Sequence, residues 1–336
     1  MKSSLTRTLI ETTIRNSIKQ IKNDPERSMR NLIDMALSFS NGRFQKHFLE
    51  AAQTMLKKET SCYYKIIPDL VANADTERIV TFGMNIGYNG CTLGAQTIRE
   101  IEAQEDINIP WSISLELERN SYYKNEVHYR SLLSKGKEMG IYTWNIHTLD
   151  NPAYFLELAE EFPECAFIIF CPSEIITQTL IDEARKLYNI LFLVEYDETT
   201  EEACSLLRSQ GFLYSVYYNN EMPNFSIDLL DEILSDTENQ NAVFTVLLSQ
   251  SSCLEESEIL YQHIQQIRAE QRYRTVPFDF IHDNCFIDSI ISDQICSIKF
   301  TSNGICHSLT DNKVYENCNI FRDSLCDILK TISSPN

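Results

Sequence analysis

The chain has 336 residues, a formal net charge of −19 and 43% apolar residues, with 17 Phe and 16 Tyr. This composition excludes a disordered polymer, and no segment approaches the roughly 18 to 20 uninterrupted apolar residues that a membrane helix requires. So acidic a protein is not expected to hold nucleic-acid phosphates, because it would repel them.

The first residues, MKSSLTRTLIETTIRNSIKQ, scatter charges among their apolar positions and contain no signal-peptide h-region, so a cytoplasmic protein is expected. Leu9, Ile10, Ile14, Ile18 and Ile21 recur at helical spacing, and Asp24-Pro25-Glu26 makes a break and restart. A second helix is predicted through Met29, Leu32, Ile33, Met35, Ala36 and Phe39 to a turn at Asn41-Gly42, and a third over 43–58. Residues 1–78 hold 13 basic against 9 acidic side chains, a net +4, which leaves −23 on the rest. The helical extension 1–77 therefore either docks on an acidic body or serves as an arm for a protein partner.

From Ile79 the pattern changes to short apolar runs, each followed by helical periodicity. The runs are 79–85, 111–118, 141–148, 166–171, 190–197, 212–218, 243–249 and 276–281. The intervening helices include 92–104, 124–139, 152–161, 174–187, 199–210, 226–236 and 255–271. Such alternation is the pattern of βαβ units on a parallel sheet. The expected fold is α/β, a parallel βα (TIM-like, partial or complete) barrel over 78–284, with a doubly wound sheet as the rival.

Side chains alternate between faces along a strand. In 111–118 the greasier set is Ile113, Leu115 and Leu117, opposite Ser112, Ser114, Glu116 and Glu118. In 141–148 Tyr142, Trp144 and Ile146 oppose Thr143, Asn145 and His147, and in 190–197 Phe192, Val194 and Tyr196 oppose Leu191, Leu193, Glu195 and Asp197. If the greasier faces meet the outer helices, the polar members point inward and gather toward the C-terminal strand ends, where barrel active sites lie. Glu116, His147 and Glu195 are the candidate catalytic residues, acting as acid and base or around a divalent ion. A solvated barrel rim is the plainer reading.

Gly83-Met84-Asn85-Ile86-Gly87-Tyr88-Asn89-Gly90 reads as a glycine-rich turn from strand to helix. Such a turn can present N–H groups to an anion, which makes Gly83, Asn85, Gly87, Gly90 and, from the strand face, Asn145 candidate cofactor contacts. A tight turn without a ligand is the alternative. Phe278-Asp279-Phe280-Ile281-His282-Asp283 contributes a second His/Asp set, and Tyr214, Tyr217 and Tyr218 read as barrel packing.

Residues 285–336 depart from the alternation. CSIKFTSNGICHSL (296–309) reads as a hairpin turning at Ser302-Asn303-Gly304, with a last helix over 321–332. Eleven cysteines lie between Cys62 and Cys326 without any CxxC pair, which suits reduced thiols and excludes zinc-ribbon and thioredoxin chemistry. Cys285, Cys296, Cys306 and Cys318, with Cys326, put five thiols in 42 residues, where buried thiols acting as small hydrophobes are the plain reading.

Over residues 78–332 the layout resembles the radical SAM superfamily, in particular members with a C-terminal twitch or SPASM-like extension. The likeness rests on Lys137-Glu138-Met139-Gly140 followed by IYTWNIHT, on the hairpin CSIKFTSNGIC, and on Asn319-Ile320-Phe321-Arg322-Asp323-Ser324-Leu325 before the last helix. The resemblance implies S-adenosylmethionine (SAM), a [4Fe–4S] cluster held by CxxxCxxC and, through a twitch-type extension, an auxiliary Fe–S cluster for which Cys285, Cys296, Cys306 and Cys318 are the candidate ligands. This chain instead has NIGYNGCTLGAQTIR, with Cys91 alone, and Leu115-Glu116-Leu117-Glu118 where the family has a glycine-glycine-glutamate segment. The expectation is a degenerate member without the SAM-cleaving cluster, which binds a small molecule or peptide and assists a peptide-modifying system. The alternatives are a metal-assisted barrel enzyme and a scaffold that acts through residues 1–77.

Overall fold

The computed structural model describes residues 2–21, 43–55, 61–220, 226–249, 254–292, 294–311 and 313–333, with 24, 27, 28, 30, 31, 33, 34, 37 and 58. The second predicted helix and its Asn41-Gly42 turn fall largely outside the described residues. The protein is α/β, with N-terminal helices and a mostly parallel ten-stranded sheet in the order β10-β9-β8-β1-β2-β3-β4-β5-β6-β7. The strands are β1 Ser112–Leu117, β2 Thr143–Thr148, β3 Ala166–Cys171, β4 Ile190–Glu195, β5 Tyr214–Asn220, β6 Phe244–Ser249 and β7 Val276–Asp279. The last three are β8 Ile298–Phe300, β9 Ile305–Ser308 and β10 Val314–Asn319. Among the described residues no helix is long and apolar enough to cross a membrane.

The chain divides into two compact units, the first comprising residues 1–80, 172–177 and 193–282, the second 81–171, 178–192 and 283–336. In the first, α1 (Lys2–Ile21) buries Ile18 and Ile21, and its Arg15 bonds Glu11 and Glu77. Further along come α2 (Arg43–Met55) and α3 (Ile66–Asn73), whose Asp69 pairs with Arg208. Strands β5, β6 and β7 pair in parallel. Leu247 of β6 packs against Leu230 and Leu234 of α10 (Ile227–Asn239) and against Leu260, Ile264 and Ile267 of α11 (Leu254–Glu270). Three- and four-residue spacing puts those leucines and isoleucines on one face of each helix.

In the second unit β8, β1, β2 and β3 run parallel, and β9 and β10 add antiparallel strands beyond β8. Ile113, Leu115 and Leu117 are fully buried, as expected where helices cover a parallel sheet. The hairpin turn is where the sequence places it, at Gly304 with φ +80°. Its partner β10 was not anticipated. Nor was the parallel pairing of β8 with β1, which makes the hairpin part of the sheet rather than an appendage. The last helix, α13 (Leu325–Ser333), begins four residues later than expected.

The expected first strand, 79–85, is helical. Residues Thr76–Met84 form α4, Asn85–Gly94 continue as a π-helical segment, and Ala95–Glu105 form α5. The β-branched run misled the sequence reading because two signals outside it favour helix. Asp75 caps the first turn, its carboxylate accepting from Glu77 N at 2.7 Å and Arg78 N at 3.3 Å. Val80, Met84, Tyr88, Cys91, Ala95 and Ile98 are then buried at helical spacing. The glycines of 83–90 consequently lie in a helix rather than in a strand-to-helix turn, which removes the loop on which that anion cradle was expected. The place beside β1 belongs to β8.

Gly94 and Gly140 bring the π-helical segment into backbone contact with the turn before β2. Gly140 has φ +95°, and a Cβ there would lie 2.5 Å from the Gly94 carbonyl oxygen, while one on Gly94 would collide with the Gly140 carbonyl. Gly94→Ala is expected to destabilise the protein by about 1–3 kcal/mol, in the range of overpacked cores, read from the midpoint of urea unfolding. Gly83→Ala, which meets nothing within 4 Å, is the matched control and should leave the midpoint unchanged or raise it.

Candidate functional site

The register of β1, β2, β3 and β8 sets the site. Ser112, Ser114 and Glu116 stand opposite Thr143, Asn145 and His147; Asn145 and His147 stand opposite Ile168 and Phe170; Lys299 of β8 stands opposite Ser114. All share one face, since aligned residues of parallel strands point the same way. Asn145, 3% exposed, donates long bonds to Ser112 Oγ at 3.4 Å and Ser114 Oγ at 3.5 Å. Asn284, from α12 (Phe280–Ile291), accepts from Ser112 Oγ at 3.5 Å. Toward the C-terminal ends, Lys299 Nζ donates to Glu116 Oε1 at 2.5 Å, and the His147 ring stacks on Phe170 with centroids 4.1 Å apart.

His147 has its pKa pushed down to about 3, first by burial and then by the Lys299 charge. Its imidazole is therefore neutral across the physiological range, suited to hydrogen bonding and poorly suited to delivering a proton. Glu116 and Lys299 hold opposite charges close together in a half-buried place, where a bound molecule's polar groups would face less competition from water.

Below this face lies a second carboxylate. Asp288 of α12, 1% exposed, accepts from Trp111 N at 3.0 Å and from Cys296 N, so it ties the start of β1 to the segment before β8. Burial pushes its pKa up to about 7 against the two backbone bonds, with nearby Glu102 adding repulsion. Glu102 itself accepts from Ile109 N at 2.8 Å and Ser292 Oγ at 3.0 Å.

The structure thus brings together Glu116, His147 and Asn145 as the sequence suggested, and adds Lys299, Ser112 and Ser114 as neighbours. Lys299 was missed because CSIKFTSNGIC reads as a detached hairpin, although a lone charge between Ile298 and Phe300 was its signal. Glu118 is exposed just before α6 (Arg119–Glu138). Asn85 and Asn89 sit at the other end of the strands. Asn85 Nδ2 donates to Pro163 O and Cys165 O, and Asn89 Nδ2 to Glu164 O, all at 2.8 Å and all just before β3. Gly90 approaches Thr143, the first residue of β2.

In the first unit Glu195 ends β4, and its carbonyl accepts from Thr200 Oγ1. Asp197 accepts from Ser173 Oγ at 2.6 Å and Thr199 N at 2.7 Å at the start of α9 (Thr200–Ser209). Asp279, fully buried, caps the helix after β7 through Ile281 N and His282 N and holds His282 Nδ1 at 2.9 Å. Tyr214 is buried and donates to Gln240 O at 2.8 Å.

The tail cysteines are spread over separate elements. Cys285 lies on α12, Cys296 precedes β8, Cys306 is on β9 and Cys318 on β10. Among the described residues no three His, Cys, Asp or Glu side chains are grouped to hold a metal ion. Among the described residues, the [4Fe–4S] cluster that the resemblance implies finds no thiolate set beside Cys91. Cys91 is 3% exposed inside the π-helical segment, and burial pushes its thiol up to about 12, whereas a cluster takes several accessible thiolates. These residues do not fit the group.

No protein-family model and no curated protein sequence matches this chain. Solved structures do. The crystal structure of Streptococcus suis SuiB bound to S-adenosylmethionine matches with a TM-score of 0.50 and 10% identity, over 68% of this chain and 66% of SuiB. SuiB bound to the precursor peptide SuiA matches with a TM-score of 0.51 and 10% identity, over 70% of each chain. The likeness is one of fold.

The two perturbed groups predict opposite pH trends. His147 is held neutral when folded but titrates near its ordinary 6.5 when unfolded, so its contribution to stability is present above pH 6.5 and is lost as pH falls toward 3. Asp288 keeps its proton longer when folded, so its contribution is present below about pH 4 and is lost as pH rises through 7. Unfolding midpoints measured from pH 4 to 8 should show that His147→Gln flattens the acid-side fall, whereas Asp288→Asn removes a loss on the neutral side. Parallel profiles for wild type and both variants would contradict these assignments.

Proposed function

We propose that the protein is a radical SAM-like barrel protein without the SAM-cleaving cluster, which binds a small molecule or peptide as an accessory to a peptide-modifying system. The observation that carries this reading is the single polar face shared by Lys299, Glu116, His147 and Asn145, at the strand ends where parallel α/β folds place their ligands. The likeness of fold to SuiB, which was solved with S-adenosylmethionine and with a precursor peptide, supports the ligand classes. The hairpin and its added strand would serve as a twitch-like extension, with β8 delivering Lys299.

Each group has a task in binding. Glu116 and Lys299, paired in the ligand-free protein, offer an acceptor and a donor of opposite charge. Asn145 and the two serine hydroxyls offer neutral hydrogen bonds on the buried side. His147, neutral and pinned by Phe170, fixes the ligand's orientation and moves no proton.

Calorimetric titration of oxygen-free, reduced protein with S-adenosylmethionine tests this. Binding is expected without 5′-deoxyadenosine formation and without stoichiometric iron. Glu116→Gln and His147→Gln should each weaken binding at least about tenfold, the loss of one hydrogen bond to a charged or buried group, with both variants still folded by circular dichroism. Reductive cleavage of S-adenosylmethionine would sink the cluster-free reading. Binding untouched by either substitution would move the ligand to another face.

A further inference from the structure

A cavity of about 260 Å³ opens between α6 and the turn from β10 into α13. Its floor is apolar, with Leu132, Ile320 and Leu325 all buried. Its rim carries the cations Lys135 and Arg322 and the imidazole of His128, all exposed, with Arg322 3.9 Å from the Asp323 carboxylate. The site lies apart from the polar strand face and shares no residue with it.

The floor and rim together constrain the ligand. Three buried aliphatic side chains around a small cavity favour one apolar group of amino-acid size, since drug-sized ligands need roughly 300–1,000 Å³. The rim favours an anion, and of low charge. Lys135 is already shared with Glu138 at 3.0 Å, and Asp323 lines the same cavity, its Oδ2 accepting from Asn319 N at 2.9 Å. A phosphate dianion would meet that carboxylate at a penalty, whereas a monoanionic carboxylate can be held bidentately by the Arg322 guanidinium. The N-terminal end of α13 faces the same opening through Ser324 and adds a favourable field.

We infer that this cavity binds a carboxylate carried beside an apolar side chain, as at the C-terminus of a peptide or in a free N-acyl amino acid. Arg322 and Lys135 bind the carboxylate, His128 donates from the flank beside Phe321, and the aliphatic floor takes the side chain. The C-terminal peptide-capture mode is built from the same elements.

Calorimetry on the full chain decides it, with N-acetyl-leucine, N-acetyl-leucinamide, a hexapeptide ending in leucine as free acid or amide, and inorganic phosphate as probes. The free acids are expected to bind at least tenfold more tightly than their amides, and phosphate to give no competing heat. Arg322→Gln, on an exposed residue, should cost the acids at least tenfold and the amides nothing, with Lys135→Gln acting in the same direction. If the hexapeptide acid binds more tightly than N-acetyl-leucine the source is a peptide terminus; equal or weaker binding makes it a free acid. Equal binding of acids and amides, phosphate competing on even terms, no measurable binding of any probe, or indifference to Arg322→Gln each overturns the inference.

Discussion

The second unit depends on the close backbone approach of the π-helical segment 85–94 to the starts of β2 and β3. Gly94 meets Gly140 with no side chain on either, and the widened turns aim Asn85 and Asn89 at three successive carbonyls before β3. Those carbonyls precede the strand's own ladder, and buried backbone acceptors left unpaired are costly. The two side-chain amides thus satisfy the bottom of the sheet while fixing the helix against it. In a regular α-helix Asn85 and Asn89 would still share a face, but Gly94 would swing away from it, whereas the wider π-helical turns keep all three on the side that meets β2 and β3.

With one end of the strands fixed in this way, the other carries the polar groups. Lys299 reaches Glu116 only because β8 is laid parallel beside β1, in the place that a first strand would otherwise take. Asp288 holds that arrangement by bridging Trp111 N and Cys296 N, the residues that lead into the two strands. Burial decides the chemistry of both titrating groups. It outweighs two backbone hydrogen bonds at Asp288 and leaves His147 a neutral imidazole. The face is therefore better furnished for holding a ligand than for shuttling protons.

Much of this was legible in the chain. Seven of the eight expected strands occur, because period-two patterns bounded by helical stretches are strong local signals. The polar alternation of 111–118 and 141–148 placed Glu116, Asn145 and His147 on one face correctly. The segment 79–85 failed because a β-branched run is a weak preference that a capping Asp75 and a helical burial pattern override. Cysteine density in the tail suggested a cluster; among the described residues the fold brings Cys296, Cys306 and Cys318 near one another without grouping three ligands to hold a metal. Cys296, Cys306 and Cys318 are buried in the second unit, and Cys285 lies on a helix.

Taken alone, the sequence determined the α/β class, the order of most elements, the hairpin at Gly304 and the lack of a CxxxCxxC thiolate set, since each is written in local periodicity or residue identity. Only the tertiary structure decided that β8 joins β1, that Lys299 pairs with Glu116, that His147 is neutral, and that residues 83–90 are helical, with Asn85 and Asn89 bonded to the carbonyls before β3. Those outcomes turn on contacts between residues as many as 185 positions apart, as from Ile113 to Ile298, and on burial. Neither can be read from any short window of the chain.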